Sequence, residues 1–147
     1  MPSVTHPRLP SRLAIFLVNL LDPAAYGAFV AGFCFDIVYY MTQEIFWVKG
    51  ASWLNFFGLL FAVIPRLINL YQVWFSRPFT QILAARRSFW LNTLAVIVAI
   101  FNAFVHSRDA WGVMPAGLVL SAVTVALLVL AVLNHALSSP RYQEEAL

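Results

Sequence analysis

Residues 113–137 read VMPAGLVLSAVTVALLVLAVLNHAL. The stretch contains no Asp, Glu, Lys or Arg, and it exceeds the roughly 20 apolar residues that carry a helix across a bilayer. Within it, and one step beyond, Gly117, Ser121, Thr124, Leu128, Ala131, His135 and Ser138 recur at alternating intervals of four and three. Those intervals return to one side of a helix. A helix apolar enough for lipid that gathers its small and polar groups on one stripe packs that stripe against other helices. The stretch therefore predicts one member of a membrane bundle.

Three further stretches supply the partners: residues 24–41, 52–75 and 88–105. Each has a stripe of the same kind. The first carries Ala28, Gly32 and Asp36; the second Asn55, Gly58, Ala62, Arg66 and Asn69; the third Asn92, Ala95, Ala99, Asn102 and His106. Composition agrees. Of the 147 residues, 62% are hydrophobic and 10% charged, where a soluble domain has about 45–50% and about 25%. The expected fold is an all-α transmembrane four-helix bundle. The tails and connections left over are too short to build a core of their own, which excludes a hydrolase, kinase or nucleotide-binding domain outside the membrane. Cys34 is the only cysteine, which excludes an internal disulfide or a thiolate metal site.

The chain divides into a tail with an interfacial helix (1–23), the bundle (24–137) and a second tail (138–147). Residues 1–12, MPSVTHPRLPSR, hold three prolines and read as irregular. The apolar run 13–21 is too short to span and reads as a helix lying along the membrane surface. Asp22-Pro23 then reads as the start of the first span, with Asp as N-cap and Pro in the first turn. Trp47, Trp53, Trp74, Trp90 and Trp111 fall at or just beyond span ends, as an interfacial belt does. Arg8, Arg12, Arg77, Arg86, Arg87 and Arg141 lie on the side of the tails and middle connection, with Lys49 and Arg108 opposite. The positive-inside rule then places both termini in the cytoplasm. Arginines beside spans report topology, so the net charge of +3 is not read as nucleic-acid binding. The amphipathic segment 80–87, TQILAARR, is expected to rest on the anionic inner leaflet or to dock a partner.

Depth along the spans sorts the inward polar groups into two layers. Asp36, Asn55, Asn102, His106 and Ser121 lie toward the outer side; Arg66, Asn69, Asn92, Asn134 and His135 lie toward the cytoplasmic side. Between them the stripes are apolar and small. A carboxylate within a span costs about 2.5–3.5 kcal/mol on insertion scales, so Asp36 is expected to face inward with a partner. Two readings stand: a proton or cation site, or a helix lock bonded to Asn55 or Asn102. Arg66 lies roughly 13 Å, nine residues at 1.5 Å, from the end of its span. It is read as snorkelling to the interface, with an anionic headgroup or a quinone carbonyl as alternatives. Inward imidazoles raise a b-type haem. His106 and His135 end their spans on opposite sides, so only His6 with His135 could share an iron. Otherwise the histidines are expected to hydrogen-bond loops and headgroups.

No HExxH, GxSxG, glycine-rich phosphate loop or catalytic carboxylate pair occurs, so catalytic residues and a metal are not expected. The order of features resembles a family of bacterial four-span membrane proteins, domain of unknown function 2231. The resemblance rests on the Pro23-led first span with Phe35-Asp36 late in it, a long second span before Arg86-Arg87, Leu91-Asn92 opening the third, and the small-residue fourth, over residues 22–137. Members tend to carry a histidine before the first-span proline and another early in the third span. Here those places read Leu21-Asp22-Pro23 and Ser88-Phe89-Trp90, so any ligand role of those histidines would pass to His6 and His135. The family occurs beside or fused to periplasmic sugar dehydrogenases, which implies an anchor or redox-partner role.

The expected function is a non-enzymatic subunit, anchor or scaffold of the bacterial inner membrane. Its expected partners are the bilayer and either another membrane or periplasmic subunit or further copies of itself. Two alternatives are an electron-transfer subunit holding haem b or quinone, and a small proton or cation transporter centred on Asp36. No cofactor is the first expectation.

Overall fold

The structure, a computed structural model, describes residues 11–75, 82–108 and 110–137. His6, Arg8, Arg77, Arg141 and both predicted tails' outer residues lie outside that set. The described chain forms four helices: α1 (Arg12–Thr42), α2 (Ile45–Phe75), α3 (Ile82–His106) and α4 (Ala116–Leu137). All four are long and apolar enough to cross a membrane. Each of α1, α2 and α3 contains one predicted span, and α4 begins three residues inside the fourth, predicted over 113–137. The helices α1, α2 and α3 begin before their predicted spans do.

One expectation is overturned. Asp22-Pro23 does not start a helix, and residues 13–21 are not a separate element. They are the first turns of α1, with Pro23 inside it. Ser11 is the N-cap, its hydroxyl accepting from the Ala14 N–H at 3.2 Å, as small oxygen-bearing residues do at helix starts. Pro23 withholds one N–H from the ladder, a loss that membrane helices tolerate when neighbours supply other partners. The Asp22 carboxylate is used elsewhere, against Arg66 of α2. The boundary drawn at residue 23 thus falls inside a continuous helix. Pro65 likewise sits within an unbroken α2. Most of segment 80–87 belongs to the first turns of α3.

The helices run alternately up and down, and each packs on its neighbours in the ring α1–α2–α3–α4. The turn Gln43-Glu44 and the connection from α3 to α4, with a single 3-10 turn at Ala110–Gly112, lie at one end, called here the hairpin end. The opposite end, where α1 and α3 begin, is the terminal end. Gln43 adopts a left-handed conformation (φ 57°) and its N–H bonds back to the Tyr39 carbonyl at 2.8 Å, a common way to stop a helix.

The core shows why the stripes matter. At its middle Ala25, Ala62, Ala95 and Ala99 are buried with Phe29 and Leu128. Small residues let backbones approach closely, and in lipid that packing, with interhelical hydrogen bonds, holds helices together. Gly58, like Gly50 against Phe35, sits where α2 meets a ring of α1. A Cβ at Gly58 would lie 2.8 Å from Cε1 of Phe29, so only glycine leaves room for the ring. A second cluster, Tyr39, Val48 and Val113 with Trp47 against it, plugs the hairpin end. Outside, Trp53, Trp90 and Trp111 are exposed, as interfacial indoles are.

Candidate functional site

The inward polar groups gather in two places, one at each end of the bundle. At the hairpin end Asp36 is fully buried. Its partners come from α3 and α4. His106 Nε2 lies 2.8 Å from Oδ1, and the Ser121 hydroxyl donates to Oδ2. Ser121 accepts in turn from the Asn102 amide at 2.8 Å. His106 Nδ1 lies 3.0 Å from the Asn102 carbonyl oxygen. A carbonyl only accepts, so Nδ1 carries a proton, and Nε2 and Asp36 share one more.

The consequence is a closed ring: Asn102 side chain to Ser121, Ser121 to Asp36, Asp36 to His106, His106 back to the Asn102 main chain. Imidazolium with carboxylate, or imidazole with carboxylic acid, both leave it uncharged in sum. That neutrality reduces the large cost of an isolated charge at this depth. The Asp36–His106 contact crosses the diagonal of the bundle, α1 to α3, and Ser121 ties α1 to α4. Asn55 stands apart, donating to the Ala99 carbonyl at 3.2 Å. A void of about 10 Å³ lies beside Asn55, Asn102 and Thr124, and Asn102 Oδ1 is buried without a partner among the described residues.

Two expectations are corrected here. Asp36 bonds neither Asn55 nor the Asn102 side chain directly; its partners are His106 and Ser121. His106 is not an interfacial histidine reaching for loops or headgroups. It is buried, because the step from Asn102 to His106 places it on the same inward stripe, in the last turn of α3.

At the terminal end Arg66 pairs with Asp22, replacing the expected snorkelling geometry. Their side chains are 11% and 19% exposed, so the guanidinium stays within the bundle. Tyr26 joins them, its hydroxyl 3.4 Å from an Arg66 nitrogen and donating to the Asn92 side-chain oxygen at 2.9 Å. This second diagonal bond also links α1 to α3. Asn92 donates to the Ser88 carbonyl at 2.9 Å, and Asn134 to the Ser88 hydroxyl at 2.7 Å.

Beside these groups lies a cavity of about 250 Å³. All four helices line it: Asp22 and Tyr26, Arg66 and Asn69, Ser88 and Asn92, Ala131 and His135. His135 is exposed at its rim, at the other end of the bundle from His106. Arg66, Asn69, Asn92 and His135 were legible as one layer. Asp22 and Tyr26 were not, because Asp22 reads locally as a helix cap and Tyr26 as one more aromatic in an apolar span. The step of four from Asp22 to Tyr26, which puts both on one side of a helix, was the available sign.

A four-helix bundle with lipid-compatible outer faces and paired polar groups inside is an integral membrane protein. Residues 20–135 match the family model described as predicted membrane protein (DUF2231), and the chain belongs to that family. No curated protein and no solved structure shows a significant match to it.

Proposed function

We propose that this protein is a non-enzymatic integral subunit or anchor of a bacterial inner membrane, with both termini in the cytoplasm. The observation that carries the reading is the closed ring around Asp36. A carboxylate that conducts protons or cations needs a path to water at each side. Here Asp36 is fully buried, covered on the hairpin side by Tyr39, Val48 and Val113 and separated from the other polar layer by the alanine-rich middle. Such a ring ties α1, α3 and α4 rigidly together, which suits a component that others are built on. The arginines favour the orientation: Arg12, Arg86 and Arg87 belong to the terminal end, Lys49 and Arg108 to the hairpin end, and the excess of basic residues stays inside.

The test is the mass of the tagged full-length chain solubilised from its own membrane in mild detergent. A particle heavier than the 16.5 kDa protomer, containing either a second protein or further copies, is expected. A strictly monomeric particle overturns the subunit reading. In parallel, proteoliposomes are expected to show no proton or cation flux above protein-free liposomes. A flux abolished by Asp36→Asn would establish transport instead.

A further inference from the structure

The cavity at the terminal end does not stop at its polar wall. Tyr26 and Val132, which line it, also line an apolar groove of about 180 Å³ on the lipid-facing seam of α1 and α4. The groove continues along α4 through Val129 to Val125. From Leu133 to Val125 it runs roughly 12 Å toward the middle of the membrane, eight residues at 1.5 Å. A polar chamber near the membrane surface and an apolar groove that points inward thus meet at Tyr26 and Val132. That is the orientation an amphiphile takes in a bilayer.

The chemistry of the chamber defines the head of that amphiphile. Its cation, Arg66, is already matched by Asp22. A phosphate or carboxylate head would therefore meet a carboxylate as well as a guanidinium, and gains little. Further donors remain. Arg66 Nε is buried with no partner among the described residues, a state that costs free energy unless an acceptor arrives. Asn69 and His135 also line the space. An uncharged head with carbonyl acceptors fits this set. The volume fits too: about 150 Å³ is enough for a benzene ring in a protein cavity, and 250 Å³ accommodates a substituted six-membered ring.

We infer that the cavity and groove form a binding site for an isoprenoid quinone, its ring beside Arg66, Asn69 and His135 and its tail along the α1–α4 seam. The site goes beyond the subunit reading and does not rest on it. A bundle without quinone can anchor a partner, and a solitary bundle can hold quinone.

The probe is decylubiquinone, titrated into the full-length protein in phosphatidylcholine nanodiscs, with bound quinone counted by its reduced-minus-oxidised absorbance against protein-free discs. Saturable binding at about one per protomer is expected. Asn69→Leu removes an amide from the chamber, and Val132→Trp adds bulk where chamber and groove meet; both leave the Asp22–Arg66 pair in place. Each is expected to weaken binding about tenfold, the effect of one lost polar contact or a blocked tail, with the melting temperature unchanged. The same ring without its tail is expected to bind more weakly than decylubiquinone.

Absence of saturable binding overturns the inference. So do equal affinities for wild type and both variants, or tailless ring binding as tight as the decyl compound. Replacing part of the phosphatidylcholine by phosphatidylglycerol is expected to leave affinity unchanged; displacement of quinone by it would identify an anionic-lipid site and overturn the quinone assignment.

Discussion

Asp36 has two acceptor oxygens and each is used, one by His106 and one by Ser121. What holds this ring is the supply of acceptors, since its summed charge is zero in either proton arrangement. An asparagine can keep it closed: its oxygen accepts from Ser121 and its amide donates to an unprotonated His106 Nε2. Asp36→Asn is therefore expected to change unfolding free energy in detergent by less than about 1 kcal/mol, whereas Asp36→Leu strands both donors and costs about 1–3 kcal/mol. Equal losses in the two variants would show that charge is what the ring requires. At the terminal end Asp22→Asn and Arg66→Gln each break a half-buried ion pair. A double-mutant cycle is expected to return a coupling of about 1 kcal/mol or more, within the range for side chains in one network; additive effects would mean that the pair contributes nothing. The stripe spacing in α3 already indicated that Asn102 and His106 face inward. It could not indicate that His106 meets Asp36, since that depends on where α1 stands.

The four spans were legible as elements because periodicity and hydropathy are properties of a single helix. The ends were less so. Pro23 looked like a helix start, and in an aqueous protein a mid-helix proline costs about 3 kcal/mol. Within α1 the apolar run before it and the Ser11 cap favour continuation, and Asp22 is engaged by Arg66 rather than by its own backbone. Between α1 and α2 two glycines admit rings of α1, Gly50 facing Phe35 and Gly58 facing Phe29. Gly58→Ala places a Cβ against the Phe29 ring and is expected to destabilise the bundle by about 1–3 kcal/mol, the usual cost of overpacking. Shortening the obstructing side chain should relieve it, so Gly58→Ala in a Phe29→Leu background is expected to cost much less than Gly58→Ala alone. Thermal unfolding of the four proteins checks this; an equal cost in both backgrounds would place the strain elsewhere.

For the molecule as a whole, orientation rests on the arginines. In a Cys34→Ser background, single cysteines at Lys49 and Arg108 are expected to react in intact cells with a membrane-impermeant maleimide. Cysteines at Arg12 and Arg86 are expected to react only after permeabilisation. All four positions are exposed, so reactivity reports sidedness; labelling of Arg12→Cys in intact cells would reverse the orientation. The number of crossings, the inward stripes and the division into two polar layers follow from the sequence by itself, because each is set by residues three or four apart on one helix. The pairings were decided only by tertiary structure. Asp36 with His106, Asp22 with Arg66 and Tyr26 with Asn92 join residues 40 or more positions apart on different helices. Their meeting depends on how far each helix slides and rotates against its neighbours, and that is settled by the combined packing of alanines, Gly58 and Phe29 along the whole interface.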